Sequence, residues 1–514
     1  MSFLWTANEL VSIMRARPVG HLPEGIGGIS IDSRTIEAGE AFFAIKGDRF
    51  DGHDYVVKAM HAGAALAVVA EEKLVAFGHV QLPLLVVSNV LEALEVLAKA
   101  ARARSQARII AVTGSVGKTT TKEMLRTVLS PSGMVHVSPA SFNNHWGVPL
   151  TLSRMPAEAA YGVFEIGMNH PGEITPLVKL VRPHVAIITA VAAAHLGAFR
   201  DVNQIAQAKA EIFAGLEAGG VALLNRDDRR YKLLHELAWE AGVKKIMSFG
   251  TRRRADFRAM AVRPLADCTV VDARIGEESV TYKIGAPGVH LVTNSLAVLG
   301  TVSLVGANLA KAALAMASVQ AEKGRGRRHL LSAKNGRFTL IDESYNANPT
   351  SVGAAIALLA ISPIWARGRR IAVLGDMLEL GNASERLHKS LKRPLETGGV
   401  DLVFLVGPQM RALAREIDPS LLAGHYASAA EVEAPLIGAL RPGDVVMVKA
   451  SLGTKFTPLV EALMKACPPV SGNPVGDAGN DDGDGDVGRS GDSNSPTGLP
   501  GGQLTGQSAG RATG

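Results

Sequence analysis

Residues 109–130, IIAVTGSVGKTTTKEMLRTVLS, decide the fold. Ile109, Ile110, Ala111 and Val112 make a short apolar run of strand character, which leads into Thr113-Gly114-Ser115-Val116-Gly117-Lys118-Thr119. Met124, Leu125, Val128 and Leu129 then recur on one helical face, with Lys122, Glu123 and Arg126 off it, and Pro131 and Gly133 close the helix. Glycines let the backbone curl until its N–H groups face an anion, and the helix that follows adds its positive end. Lys118 can reach terminal phosphates, and the Thr119 hydroxyl can ligate Mg²⁺. Val112 stands where a full Walker A pattern has its first Gly. Gly-Lys-Thr by itself is a weak signal, but strand, glycines, Lys-Thr and helix in that order point to a nucleotide phosphate.

Working outward, the chain alternates apolar runs and helical patterns. VFEIGM, VAIITAV and GVALLN read as buried strands ending in polar loops, so a mostly parallel sheet with helices on both faces is expected over residues 86–319. Ligands in such sheets bind at the C-terminal strand ends. FTLIDESY, RIAVLGDM, DLVFLVGP and DVVMVKAS repeat the pattern over 320–467, a second, Rossmann-like α/β domain. Residues 1–85 read as a small α/β domain of short elements. Thr6 and Glu9 have capping-box spacing ahead of a helix, and 56–70 read as helix then strand. Residues 468–514 are Gly, Asp, Ser, Asn and Pro with almost nothing large and apolar, so a disordered tail is expected.

Bulk composition narrows the class. The 514 residues suit about three domains. Hydrophobic residues make up 47% and charged residues 20%, as in a globular protein. The tail holds six Asp and two Arg, a net of −4, which leaves about +10 on the rest of a chain whose net charge is +6. That excess can steer anionic substrates. It lacks dense basic runs, and aromatics are 5%, so no nucleic-acid partner is expected. Cys268 and Cys467 make no disulfide framework and fit a reducing cytosol. The start has no signal-peptide pattern, and the most apolar stretch, 291–317, is broken by Asn294, Asn308 and Lys311. A cytoplasmic protein without membrane insertion is expected.

At the other strand ends the residues leave alternatives open. Glu165 ends a buried strand, where a carboxylate is costly unless paired, hydrogen-bonded or on a metal. It is either a solvated strand-end acid or a Mg²⁺ ligand. His195 follows another strand and is either structural or bound to metal or phosphate. Lys209 lies beside the apolar face of Ile205, Ala208 and Ile212. It either snorkels or, with a depressed pKa, offers an amine that takes up CO₂ as a carbamate. Asp342, Tyr345, Asn346 and Asn348-Pro349 form either an Asn/Pro-rich turn or a ligand loop.

Taken in order, FNNHWGVPLTL, EIGMNHPGEI, DESYNANPTSV and LGDMLELG resemble the Mur ligases, ATP-dependent amide ligases of bacterial cell-wall precursor synthesis. The resemblance spans about residues 5–460. It implies UDP-N-acetylmuramoyl-tripeptide and D-alanyl-D-alanine as substrates, ATP and Mg²⁺ as cofactors, and a monomer. The first domain would hold the UDP part, with Ser33, Arg34, Lys46, Gly47, Arg49, Asp51 and His53 as candidates. Thr113, Gly114, Ser115, Val116, Gly117, Lys118 and Thr119 would wrap the ATP phosphates. Thr119 and Glu165 would bind Mg²⁺, and His195 with a carbamylated Lys209 a second metal. Asn294 would contact the adenine, and Arg325 and Asp342 the nucleotide. Asn143, Asn144 and Asn348 would lie toward the peptide. The family's usual Lys-Gly-Ser-Arg is here Lys449-Ala450-Ser451-Leu452, which puts a role for that loop in doubt. Rival readings are a ligase for another amino acid or peptide and a P-loop ATPase that drives a switch. The second leaves the first domain and Lys209 unexplained.

Overall fold

The structure is a computed structural model that describes residues 3–47, 50–77, 82–333, 336–365 and 367–470. Arg49 and residues 471–514, most of the expected tail, lie outside the described residues.

The phosphate-loop strand, Arg108–Thr113, lies inside a nine-stranded sheet between Val185–Ile188 and Tyr161–Glu165. Parallel pairing runs from Val135–Val137 at one edge through Tyr161–Glu165, Arg108–Thr113, Val185–Ile188, Val221–Asn225 and Lys245–Gly250 to the start of Phe257–Pro264. Alternation along Arg108–Thr113 explains why it is buried on both faces. Ile110 and Val112 join the core under the helices Lys118–Leu129 and Val289–Leu304, while Ile109 and Ala111 join the core under Ile174–Val181 and Val202–Ala210. Each buried Ile or Val contributes about 1.5–3 kcal/mol by leaving water. The chain moves to one side of this strand for Tyr161–Glu165 and to the other for Val185–Ile188, so its C-terminal end is a topological switch point.

The central sheet continues into Phe257–Pro264, Thr269–Ile275 and Glu278–Ile284, the last two strands antiparallel to their neighbours. Their half-exposed faces explain the Arg, Asp and Glu interleaved among apolar residues.

Before it, Gly28–Ser30, Glu40–Phe43, Leu66–Ala70 and Leu84–Val87 pair in parallel, with Arg17–Val19 antiparallel at the edge. The expected capping box is present. The Thr6 hydroxyl accepts from Glu9 N–H, the Glu9 carboxylate accepts from Thr6 N–H, and the helix Ala7–Met14 buries Leu10 and Met14. After it, a six-stranded sheet runs in the order Arg327–Ala333, Gly336–Glu343, Val445–Lys449, Arg370–Gly375, Leu402–Val406, Leu422–Tyr426, with only the first pair antiparallel. The beginning of the expected tail differs from the sequence reading. Leu331 bridges Pro469, Ser332 N–H donates to Pro468 O and Val470 N–H to Leu330 O, so residues 468–470 extend this sheet.

One ion pair staples the near end of the third sheet. The fully buried Asp444 carboxylate accepts from Arg369 N–H, Nε and Nη2 and from Arg441 N–H, at 2.7–3.3 Å. Removing one partner of such a pair strands the other charge. Asp444→Ala is therefore expected to cost about 3–5 kcal/mol, read as a lowered melting temperature and an earlier denaturant midpoint. An unchanged midpoint would show that water takes over the role.

Candidate active site

Gly114 (φ 153°) and Gly117 (φ 86°) adopt backbone conformations that suit glycine, and both are approached closely. A Cβ on Gly114 would lie 1.9 Å from Thr189 Oγ1, and one on Gly117 2.9 Å from Asn294 Oδ1. The Thr189 hydroxyl donates to Val116 O (2.6 Å), and Ser115 N–H donates to Ala190 O. Behind Thr189, Asn225 Nδ2 donates to its carbonyl, and Val191 N–H donates to Asp228. The loop is thus seated on the end of the strand Val185–Ile188. Gly117 caps the helix Lys118–Leu129 without a side-chain acceptor. Among the described residues no protein group accepts the N–H of Gly117, Lys118 or Thr119. Free amides at an uncapped helix start fit phosphate oxygens. Lys118 Nζ donates to Gly114 O at 2.8 Å. Burial pushes its pKa down, with Glu165 opposing and the Arg325 guanidinium adding to the fall.

Glu165 is 2% exposed at the end of Tyr161–Glu165. Its Oε2 accepts from Thr119 Oγ1 (2.9 Å) and its Oε1 from Asn143 Nδ2 (2.7 Å), while Ser141 Oγ lies 3.3 Å from Thr119 Oγ1. A hydroxyl and a carboxylate side by side beside a phosphate loop fit Mg²⁺. Among the described residues no three His, Cys, Asp or Glu side chains cluster as a metal cage. Mg²⁺ does not need such a cage, since one or two carboxylates with substrate phosphates and water suffice. Asn143, expected to lie toward the peptide, is here engaged with Glu165, and Asn144 accepts from Gly147 N–H at the start of a helix.

Lys209 is buried, and among the described residues its side-chain amine has no hydrogen bond or ion pair. Desolvation pushes its pKa far down, and the Lys118 charge adds to this. His195 (φ 56°) is reached by the charges of both Lys118 and Lys209. Its Nδ1 lies 2.5 Å from Glu379 Oε2, and Gly197 N–H donates to Glu379 O, so LGDMLELG touches the His195 loop. Burial lowers the His195 pKa, with Glu379 pulling the other way.

Arg325 stacks over Tyr345 at 4.0 Å, and its charge reaches Lys118. Asp342 is turned to its own backbone, accepting from Gly324 N–H and from Ser344 N–H and Oγ. Asn348 caps the helix Pro349–Ala360 through Ser351 N–H, a turn role that uses up its side-chain oxygen. Lys449 donates to Glu343 and to Asn346 O, and Ser451 Oγ accepts from Leu378 N–H, while Leu452 is exposed. Beside the first sheet Ser33 is buried, Arg34 pairs with Asp32, and the backbones of Lys46 and Asp51 form an isolated antiparallel bridge. His53 Nε2 accepts from Ala70 N–H, so its Nδ1–H donates to Asp51, which also binds Lys73.

The helical spacing misassigned one residue. Lys122, placed off the apolar face, is completely buried, and its Nζ donates to Ser138 O and Ala140 O. Thr189, Ser141 and Glu379 were not singled out. Thr189 had a signal, as the polar residue within VAIITAV. The others meet the site through contacts that no local pattern encodes.

Three family models cover the chain: Mur ligase family, catalytic domain over residues 25–107, Mur ligase middle domain over 112–302, and Mur ligase, glutamate ligase domain over 326–452. The chain is 34% identical over 445 residues to UDP-N-acetylmuramoyl-tripeptide--D-alanyl-D-alanine ligase of Escherichia coli, covering 86% of this chain and 94% of that one. It is 30% identical to the Rickettsia prowazekii protein of the same name, covering 84% and 94%. A crystal structure of MurF from Acinetobacter baumannii superposes with a TM-score of 0.77 at 31% identity, covering 90% of this chain and 99% of that one. MurF ligase from Thermotoga maritima in complex with ADP gives 0.70 at 25% identity, covering 85% and 97%.

Gly114→Ala tests the seat of the loop. The added methyl must displace Thr189 or the loop itself, and a shift near 1 Å costs about a hundredfold in rate. ATP turnover is expected to fall by that order in a steady-state assay. Turnover within a few-fold of the parent would show that the seat is adaptable.

Proposed function

The chain belongs to the Mur ligase family, and we propose that it joins D-alanyl-D-alanine to UDP-N-acetylmuramoyl-tripeptide, converting ATP to ADP and phosphate. The observation that carries this reading is the grouping around Lys118 of an uncapped phosphate loop, the Thr119–Glu165 pair and an unpartnered buried amine, Lys209. A plain hydrolytic switch has no use for that amine.

Residues 1–85 hold the UDP portion, with Ser33, Arg34 and Lys46 toward it. Residues 86–319 bind ATP, and 320–467 close over the nucleotide with Arg325. The free amides of Gly117, Lys118 and Thr119 orient the phosphates, and Lys118 leaves its Gly114 carbonyl for the γ-phosphate. Mg²⁺, when bound by Thr119 and Glu165, supplies charge neutralisation on the transferring phosphoryl group. The tripeptide carboxylate becomes an acyl phosphate, the dipeptide amine attacks its carbonyl, and phosphate leaves as the amide forms. Closure of the third domain on the His195 loop excludes water that would hydrolyse the activated acyl group. Asn294, close to Gly117, would contact the adenine. The use of ATP and of a nucleotide-linked substrate supports a cytoplasmic reaction. Among the described residues no helix is long and apolar enough to cross a membrane.

The neutral Lys209 amine would add CO₂ and release a proton to solvent, and the carbamate so formed would, together with His195, hold a second metal and supply it an oxygen ligand. Protonation blocks that addition, so carbamate is lost as pH falls through the depressed pKa. With ¹³C-bicarbonate, a carbamate resonance is expected in the parent, fading on the acid side and absent from Lys209→Arg. Equal signals in both proteins would contradict the assignment.

The direct test supplies ATP, Mg²⁺ and UDP-N-acetylmuramoyl-tripeptide with and without D-alanyl-D-alanine. Phosphate matched one-to-one by the pentapeptide mass is expected. Phosphate release indifferent to the dipeptide, without a new amide, would overturn the ligase reading.

A further inference from the structure

Lys122 lies one helical turn beyond Lys118, on the same side of the helix as the phosphate loop's end. It is among the largest fully buried side chains of the protein. Its Nζ donates to Ser138 O (2.9 Å), Ala140 O (3.1 Å) and Ser138 Oγ (3.3 Å), and pairs with Glu123 Oε1 (3.0 Å). A buried ammonium is costly to maintain unless every proton is engaged, and here four oxygens surround three protons. Ser138 Oγ also donates to Ala140 O at 2.6 Å, so side chain and backbone of this turn close on one cation.

The clamped turn leads directly into Ser141, beside Thr119, and Asn143, on Glu165. Asn143 O also accepts from Gly167 N–H, which fixes the far end of the segment. Lys122 thus ties the helix that carries Thr119 to the segment that orients Glu165, although it touches neither group itself.

We propose that Lys122 is a positioning residue for the Mg²⁺–nucleotide site, holding residues 138–143 so that Thr119 and Glu165 present their oxygens together. This inference rests on the phosphate and metal reading of the site given above. Loss of a group that orients metal ligands costs about ten- to a hundredfold in metal affinity.

The test uses the full chain with ADP and Mn²⁺, following free Mn²⁺ by electron paramagnetic resonance. Lys122→Met keeps the buried stem and removes the donors. Ser138→Ala leaves the ammonium its carbonyl partners and loosens the turn more gently. Mn²⁺ affinity in the presence of ADP is expected to fall about ten- to a hundredfold in Lys122→Met and by a smaller factor in Ser138→Ala. In the ligase assay, excess Mg²⁺ is expected to recover much of kcat, with the dipeptide KM unchanged at saturating metal. If Lys122→Met does not fold, Ser138→Ala decides. Parent-like Mn²⁺ affinity in the folded variants, whatever their melting temperatures, overturns the proposal and leaves Lys122 a purely structural lysine. The resonance titration needs no amide formation. A parent that binds Mn²⁺·ADP but makes no pentapeptide would therefore sink the ligase reading while leaving this one standing.

Discussion

The contact of Gly114 with Thr189 is the constraint on which the site depends. One hydroxyl, at the end of Val185–Ile188, donates to the Val116 carbonyl, and only a residue without a side chain fits above it. The hydrogen bond itself is worth about 1 kcal/mol. Its effect on geometry is larger, because it sets where the curl of the loop begins and hence where the amides of Gly117, Lys118 and Thr119 point. Strand pairing supplies the base. Thr113 and Ile188 are register partners, so loop and seat rise from adjacent positions of one sheet.

Around that seat the charges are out of balance in a way that suits an anion. Lys118, Lys209, Arg325 and His195 influence one another, and desolvation is the leading cause of the lowered pKa of Lys118, Lys209 and His195. Glu165 is the carboxylate that most directly opposes Lys118. Mutually repelling cations held by a rigid sheet carry free energy that a polyphosphate relieves on binding. Burial first, and the Lys118 charge second, disfavour a proton on Lys209, which suits the carbamate proposed there. The Glu379 contact with His195 brings the third sheet's segment into this field.

Much of this was legible in the sequence because its causes are local. The capping box at Thr6 and Glu9, the alternation of strand and helix, and the order of strand, Gly114, Gly117, Lys118 and helix each depend on neighbours within a few positions. What escaped depends on partners brought in by the fold. A helical wheel treats Lys122 as a solvent residue, and nothing nearby announces that the carbonyls of Ser138 and Ala140 will return to meet it. Asn348, open in the sequence between an Asn/Pro-rich turn and a ligand loop, also caps the helix Pro349–Ala360, and Asn144 accepts from Gly147 N–H, neither of which local pattern announces. The antiparallel strands up to Ile284 interleave charge with apolar residues because one face meets water, which blurs the continuous apolar signal of a buried strand.

The central claim is that the ATP phosphate passes to a carboxylate before an amide forms. The most direct measurement labels the tripeptide's terminal carboxylate with ¹⁸O and follows the label through one turnover in the presence of D-alanyl-D-alanine. An acyl phosphate carries one carboxylate oxygen away with the departing phosphate, so ¹⁸O in the released phosphate is the predicted result. Unlabelled phosphate, with both labelled oxygens still on the tripeptide, would mean that water took the phosphoryl group and would contradict the account.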